Sequence, residues 1–190
     1  MKHEMMDKCG VFGFFDTTDT RTDAARMAYF SLFALQHRGQ EAAGICVNLG
    51  NRLFTHREHG LVVEVFDEVT LNVLKGSSAI GHVNLTKQTG VGEADLMPLM
   101  LKSRNGQVAM SHNGSITNAE EIREKLEDNG AAFNSESDSE VLLTLLARNR
   151  ILTSRMEDAI FMTMAEVTGS YALTLLTTDA LYGVRDPLGI

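Results

Sequence analysis

Apolar segments of two kinds recur along the chain, and they differ in length and period. Short runs rich in Val, Ile, Leu and Phe, bounded by Gly, Asn or Asp, are typical of buried strands. Leu49-Gly50-Asn51 separates two such runs and predicts a hairpin. We predict strands at residues 11–15, 42–48, 52–56, 78–83, 107–112, 171–177 and 180–185.

Longer segments repeat apolar residues at helical spacing. One runs from a cap at Thr22 or Asp23 to about Gln36, with Gly39 placed to close it in a left-handed conformation. Three more helices are predicted from capping boxes, in which a Ser or Thr is followed three residues later by Glu. These boxes are Thr117 with Glu120, Ser137 with Glu140, and Ser154 with Glu157.

The order of these elements predicts the fold class. Strands come first, three helices follow and strands return, which favours an α+β domain with antiparallel sheets over an alternating βαβ fold. Residues 84–97 contain Gly90 and Gly92 and have little periodicity, so we predict a long loop of a kind that is usually functional or disordered. The chain has 190 residues and no internal repeat or linker, which predicts one domain.

Composition narrows the range of partners. The formal net charge is −8 and the basic residues are scattered, which argues against nucleic acid or an anionic membrane as the main partner. Two cysteines, Cys9 and Cys46, in a chain without a signal-like apolar segment are typical of reduced thiols in the cytoplasm. Two isolated cysteines do not form a recognisable ligand set, so we predict no metal site.

Cys9 is the first candidate for chemistry. It precedes a glycine and an apolar run close to the start of the chain. If residues 1–8 are a leader that is removed, Cys9 carries both a thiol nucleophile and an α-amine, which titrates at about 7.7–8.0 and can act as a general base. The structural alternative, a small apolar residue in a strand, describes most buried cysteines and is favoured by this stretch taken alone.

Other positions could complete a site around such a nucleophile, and each has an ordinary structural alternative. Asn113 and Gly114 end a predicted strand, where they offer an oxyanion two N–H donors or simply form a hairpin turn. Asp138 lies at the start of a predicted helix, where its carboxylate either caps the helix or binds an ammonium group. Arg38 follows a helix end, where it either orients active-site loops or complements the helix dipole in solvent. The histidines are dispersed, and we predict no Cys–His dyad.

An ordered set of motifs resembles a known family. The set covers essentially the whole chain and is more specific than any one of its members. The motifs are Cys9-Gly10-Val11-Phe12-Gly13, Gln36-His37-Arg38-Gly39-Gln40, Gly81-His82-Val83, His112-Asn113-Gly114, Ser137-Asp138-Ser139-Glu140 and Val184-Arg185-Asp186-Pro187-Leu188-Gly189. Together they resemble the glutaminase domain of the amidophosphoribosyltransferase family, which is a class II glutamine amidotransferase domain.

The resemblance implies a fold and a chemistry. The fold is that of the N-terminal nucleophile (Ntn) hydrolases, a four-layer αββα sandwich with two mainly antiparallel sheets, formed here by residues 9–190 after a leader of residues 1–8. Cys9 would attack the side-chain amide of glutamine, and Asn113 with Gly114 would form the oxyanion hole. Asp138 would bind the α-amino group, and Arg38 would lie beside the nucleophile. Ammonia would pass to a phosphoribosyltransferase domain, in cis or in trans, for phosphoribosylamine formation in purine synthesis.

The chain departs from the family pattern in two places. The family follows Gly-His-Val with an arginine that binds the glutamine α-carboxylate, whereas this chain has Asn84, which carries no charge. Lys87 could reach the carboxylate instead from a remodelled loop. The family also continues beyond the position of Ile190, so we expect the amidotransferase domain to be incomplete at its C-terminus. Mg²⁺ and phosphoribosyl pyrophosphate would belong to a C-terminal domain outside this chain.

Two hypotheses about function follow. The first is an enzyme that releases glutamate and ammonia from glutamine and assembles as a homo-oligomer. The second, motivated by Asn84, is a catalytically weakened or repurposed domain that binds an amino acid or a partner domain without efficient turnover.

Overall fold

The structure is a computed structural model that describes residues 9–18, 20, 22–85 and 92–189. The strands are β1 Gly10–Phe15, β2 Ala42–Leu49, β3 Arg52–His59, β4 Ser78–Asn84, β5 Leu99–Ser103, β6 Gly106–Ile116, β7 Gly169–Thr177 and β8 Leu181–Arg185. The helices are α1 Ala24–Ala34, α2 Val62–Val65, α3 Glu68–Val73, α4 Ala119–Glu127, α5 Asp138–Leu152 and α6 Met156–Glu166. Short 3-10 helices lie at Gln36–Arg38 and Glu93–Asp95.

The strands form two four-stranded sheets. The first has the order β1-β4-β2-β3 and the second β5-β6-β7-β8, and every neighbouring pair is antiparallel. Antiparallel neighbours can be joined by short connections, which explains why the Leu49-Gly50-Asn51 segment turns β2 directly into β3 as predicted.

Three hydrophobic clusters occupy the three interfaces between layers. In the first, Leu32 of α1 packs against the outer face of the first sheet, and in the second, Leu142 of α5 packs against the outer face of the second sheet. The third cluster lies between the sheets and joins Cys46 and Ile80 to Ala109. Because each sheet buries both faces, the chain forms four layers, and the predicted α+β class with two antiparallel sheets is confirmed.

The predicted capping boxes are wrong in their details. Helices α4 and α6 begin after Asn118 and Arg155, one residue later than predicted, and neither cap residue binds the helix end through its side chain. Ser137 does cap α5, but it accepts from the N–H of Ser139 at 3.2 Å. The carboxylate of Glu140 accepts from the backbone preceding the helix, including the N–H of Ser135 at 2.8 Å, and not from Ser137.

Tertiary contacts explain the displaced cap of α4. The Thr117 hydroxyl donates to the carbonyl of Thr168 just before β7, which directs this side chain toward the segment before β7, and the helix begins one residue later, after Asn118. Asn118 also reaches across, donating to the carbonyl of Glu166 at 2.9 Å and accepting from the N–H of Thr168 at 2.9 Å. The start of α4 is therefore attached to the start of β7 instead of being capped locally.

The prediction around Gly39 is also wrong. Helix α1 ends at Ala34, earlier than predicted, and Gly39 follows the 3-10 helix in an extended conformation with φ −162°. The absence of a side chain matters here for space, since a β-carbon at Gly39 would lie 2.6 Å from the carbonyl carbon of Asn84. Helices α2 and α3 were not predicted, because each is shorter than about two helical turns and shows too little periodicity. Strand β5 was not predicted, because it lies next to irregular sequence.

Candidate active site

The N-terminal strand brings Cys9 to one end of the space between the sheets. Ile80 of β4 points into this space, and since side chains alternate along a strand, His82 and Asn84 point the same way. The register of β1 and β4 places Gly10 opposite Val83, so Cys9 comes opposite Asn84. Cys9 thus faces the second sheet at the carboxyl end of β4.

Two side chains hold Cys9 in place. Its Sγ lies 3.0 Å from Oδ1 of Asn84 and donates a hydrogen bond to it. Arg38 donates from Nε to the backbone carbonyl of Cys9 at 2.9 Å. The backbone of Cys9 has φ 62°, in the left-handed region that costs a residue with a β-carbon roughly 1–2 kcal/mol. These contacts therefore maintain a conformation that the residue would not favour by itself.

The segment that carries Arg38 is fixed against the end of β4. Gln36 donates from its side chain to the carbonyl of Gly39 at 2.5 Å, and the N–H of Glu41 donates to the carbonyl of Asn84 at 2.9 Å. The close approach of Gly39 to Asn84 requires glycine. The Gln36-His37-Arg38-Gly39 motif thus fixes the backbone in a conformation that places the guanidinium of Arg38 against the carbonyl of Cys9.

The second sheet contributes Asn113 and Gly114. Both lie within β6 and pair with Ala172 and Tyr171 of β7, so the alternative of a hairpin turn at this position is wrong. Asn113 shares a face with Ala109, which points between the sheets. Gly114 has φ 144°, and a β-carbon there would lie 2.0 Å from the carbonyl oxygen of Ser170, so only glycine fits.

A histidine joins the two sheets next to these residues. Nε2 of His82 lies 3.1 Å from the carbonyl oxygen of His112, and because a carbonyl only accepts, Nε2 carries the proton. Burial lowers the pKa of His82 to about 4, so its ring is neutral at pH 7. The N–H of His112 points to Sδ of Met97 at 3.3 Å. The peptide that leads into Asn113 is therefore fixed from the first sheet, and the peptide before it is fixed from the segment before β5.

Helix α5 brings Asp138 to the same end of β6. Its Oδ2 accepts from the N–H of Ile116 at 2.8 Å, just beyond Gly114. Nδ1 of His112 and the hydroxyl of Ser139 lie 2.8 Å apart, and the Asp138 carboxylate is 3.9 Å from the same ring nitrogen. Burial lowers the pKa of His112, and the Asp138 carboxylate acts in the opposite direction. Asp138 is anchored at the helix start with its side chain 27% exposed.

The structure thus brings most of the predicted site residues to one end of the sandwich. Arg38 and Asn84 contact Cys9 directly, whereas Asn113, Gly114 and Asp138 gather at the end of β6, which His82 connects to the first sheet. Lys87 and the predicted leader of residues 1–8 lie outside the described residues.

The other cysteine is placed differently. Cys46 is fully buried between the sheets, and burial raises the pKa of its thiol to about 12. A thiol that does not ionise near pH 7 is a poor nucleophile. Within the ranges that the structure describes, no group of three or more His, Cys, Asp or Glu residues is arranged to hold a metal ion. None of the helices among those residues is both long and apolar enough to span a membrane.

Sequence reasoning missed the residues that connect the site. His82, His112 and Ser139 come from three separate elements and Met97 from the connection before β5, and no local pattern indicates that they meet. The sequence offered one indication, which is the position of the two histidines. Each lies near the end of a predicted strand, within a motif that the sequence analysis had already singled out. In the structure His82 contacts a backbone carbonyl, and His112 contacts the hydroxyl of Ser139 and lies 3.9 Å from the carboxylate of Asp138.

Comparison with known proteins identifies related domains. The family model described as a glutamine amidotransferase domain matches residues 86–190. An amidophosphoribosyltransferase of Methanothermobacter thermautotrophicus is 42% identical over 187 residues, which is 98% of this chain and 39% of that protein. The chain therefore spans about two-fifths of the length of this relative.

Solved structures agree with these sequence matches. A structure described as the allosteric regulatory enzyme of purine biosynthesis has a TM-score of 0.85 and 36% identity, covering 94% of this chain and 37% of that one. The glutamine phosphoribosylpyrophosphate amidotransferase of Bacillus subtilis, complexed with ADP and GMP, has a TM-score of 0.81 and 35% identity over the same shares. These matches confirm the predicted Ntn-hydrolase fold.

Proposed function

The chain belongs to the glutamine amidotransferase domain family, and from that premise we propose that it hydrolyses the side-chain amide of glutamine with Cys9 as the nucleophile. The observation that carries the proposal is the position of Cys9 at the start of β1, with Asn84 on its sulfur and Arg38 on its carbonyl. Removal of residues 1–8 gives that residue an α-amine, whose pKa of about 7.7–8.0 suits a general base near neutral pH.

The first half of the reaction forms a thioester. The α-amine takes the thiol proton, Sγ bonds to the amide carbon of the glutamine side chain, and the carbonyl oxygen becomes an oxyanion. Asn113 and Gly114 supply N–H donors to that oxygen, the kind of preorganised contact that is usually the largest catalytic term. The carbon–nitrogen bond then breaks as the α-ammonium returns its proton to the leaving nitrogen, which departs as ammonia.

The second half releases glutamate. Water attacks the thioester carbon while the α-amine takes a proton from it, and the carbon–sulfur bond breaks to restore the thiol. Asp138 binds the α-ammonium group of glutamine through its charge, and its bond to the N–H of Ile116 keeps the carboxylate close to Gly114. The end of β6 then positions the oxyanion, and the start of α5 positions the α-ammonium group of the substrate.

The fate of ammonia depends on sequence beyond this chain. We propose that ammonia passes to a phosphoribosyltransferase domain, in cis or in trans, which uses Mg²⁺ and phosphoribosyl pyrophosphate to form phosphoribosylamine. Support comes from the relatives of this chain, which are amidophosphoribosyltransferases more than twice its length. Assembly as a homo-oligomer stays a prediction, to be measured by light scattering of the purified protein.

The chemistry is tested first at the N-terminus. Intact mass spectrometry should show loss of residues 1–8, and an electrophilic glutamine analogue should modify Cys9 with a single addition that glutamine prevents. Cys9→Ala should release no ammonia and take up no label. A retained leader together with an unmodified Cys9 in active protein would contradict the proposal.

The weakened or repurposed domain is favoured by one observation, the neutral Asn84 where the family has a cation. Calorimetry with glutamine and an ammonia assay separate the two functions. Ammonia release supports the enzyme, whereas glutamine binding without release supports the second candidate.

A further inference from the structure

The side chain of Asn84 is confined to the space between the sheets. Asn84 is the last residue of β4, its side chain is directed between the sheets, and the residue is 9% exposed. Its backbone is fixed from two sides, by the close approach of Gly39 and by the bond from the N–H of Glu41. The side-chain amide is thereby held 3.0 Å from the sulfur of Cys9.

We propose that Asn84 is a positioning residue for the Cys9 thiol and not an anchor for the glutamine α-carboxylate. This inference rests on the proposed function, in which Cys9 is the nucleophile. In the described state Oδ1 accepts from the S–H group. A side-chain amide also carries an N–H₂ donor, so a half-turn about its last bond lets it donate to the thiolate once the proton has left.

An arginine at this position could not do the same. A guanidinium has five donors and no acceptor, so it can stabilise a thiolate but cannot receive the S–H bond. An amide serves both protonation states without adding charge beside the sulfur. Asn84 therefore lacks the charge that would attract a carboxylate. In return, its contact with the sulfur persists while the thiol loses and regains its proton.

The other groups near this end of the sandwich define the electrostatic setting. Arg38 donates to the carbonyl of Cys9, and Asp138 lies at the start of α5 beyond β6. His82 is neutral near pH 7 because burial lowers its pKa to about 4. The α-amine of the processed N-terminus titrates nearby as well. A charge placed at position 84 would act on the sulfur at close range, since Oδ1 of Asn84 lies 3.0 Å from it.

The test is the titration of the Cys9 thiol in the processed chain. Ultraviolet thiolate absorbance and the rate of alkylation by iodoacetamide are followed against pH, and the modified site is located by peptide mass spectrometry. Cys46 does not interfere, because the pKa of its thiol is about 12. Neither readout requires turnover.

Two substitutions should shift this titration in opposite directions. Asn84→Asp places a carboxylate beside the sulfur and should raise the thiol pKa by about one unit or more, whereas Asn84→Arg should lower it by about as much. Asn84→Ser keeps a donor and an acceptor and should stay close to the parent. Asn51→Asp, in the exposed turn between β2 and β3 at the other end of the same sheet, is the control and should leave the titration unchanged.

The outcomes distinguish this inference from the proposed function. Equal thiol titration in the parent, Asn84→Asp and Asn84→Arg proteins, with folding confirmed by circular dichroism, would overturn the role of Asn84. A much lower Michaelis constant for glutamine in Asn84→Arg, with an unmoved thiol pKa, would overturn it too and return position 84 to carboxylate binding. Opposite shifts in a protein that releases no ammonia would support the contact and reject the glutaminase.

Discussion

At the scale of single residues, the site depends on how closely backbone segments approach one another. Gly39 lies against the end of β4, and Gly114 lies against β7 in a backbone conformation with φ 144°. At both positions a β-carbon would overlap main-chain atoms, which cannot move aside as a flexible side chain can. These glycines set the distance from Arg38 to Cys9 and the shape of the end of β6.

Gly39→Ala should damage both stability and the site. The added methyl group would lie 2.6 Å from the carbonyl carbon of Asn84, so the Arg38 segment must shift away from β4. We expect a loss of about 1–3 kcal/mol in the free energy of unfolding and a lower rate of ammonia release. Urea denaturation and a coupled ammonia assay measure the two effects.

Gly183→Ala is the control for that substitution. A β-carbon at Gly183 meets no atom within 4 Å, and the residue lies on a strand with ordinary backbone angles. Its free energy of unfolding should change by less than about 0.5 kcal/mol. Equal effects of the two alanines would show that contact with Asn84 does not determine the result.

Asn113→Ala should reduce turnover more than binding. Loss of one oxyanion donor is expected to lower kcat by about 10²-fold or more while leaving the Michaelis constant for glutamine nearly unchanged. Steady-state ammonia release measures both constants. A raised Michaelis constant with an unchanged kcat would instead make Asn113 a ground-state ligand.

Sequence identified these residues better than it explained them. Cys9, Asn113, Gly114 and Asp138 were candidates because their residue types suit a nucleophile, an oxyanion hole and an ammonium ligand. Each also had an ordinary structural alternative that the local sequence favoured, since a turn, a cap and a buried thiol have the same short-range pattern. The choice depends on contacts between distant segments, such as the one from His82 to His112, and local sequence carries no record of these.

At the scale of elements, long periodic segments were predicted well and their ends were not. The strands and the later helices follow from their apolar periods, which the layers then bury. Helix starts depend on where a few polar side chains find partners. Thr117 and Asn118 both bind the residues before β7. Because of this tertiary contact, the capping box does not mark the start of the helix correctly.

Asn118→Ala tests that attachment. The substitution removes the bonds to the carbonyl of Glu166 and the N–H of Thr168, and should lower the free energy of unfolding by about 1 kcal/mol. Hydrogen exchange should become faster at the amides that begin β7. Asn129→Ala removes only an exposed bond within the same helical segment to the carbonyl of Lys125, and should have less than half of that effect.

At the scale of the whole molecule, the two sheets are joined through a buried and neutral imidazole. His82 is 1% exposed and binds a proton with a pKa of about 4 in the folded state, compared with 6.5 when exposed. Between these two values the unfolded chain binds more protons than the folded one. The free energy of unfolding should therefore fall as pH is lowered from 7 toward 4.

The expected loss from His82 is at most about 3 kcal/mol over that interval. Urea denaturation at successive pH values measures it. His82→Gln retains a donor for the carbonyl of His112 but does not titrate, so its stability should depend less steeply on pH. An identical slope in both proteins would assign the acid sensitivity to other groups, of which His112 is the first to examine.

The different surroundings of the two sulfur atoms determine how the protein responds to oxidation. Peroxide reacts with thiolates, and Cys46 supplies almost none at neutral pH, so sulfenic acid should form at Cys9 alone. The strand register separates the two cysteines by about 13 Å along the sheet, too far for a disulfide between them. Early oxidation of the thiols should therefore stay confined to Cys9 and be reversed by an added reductant.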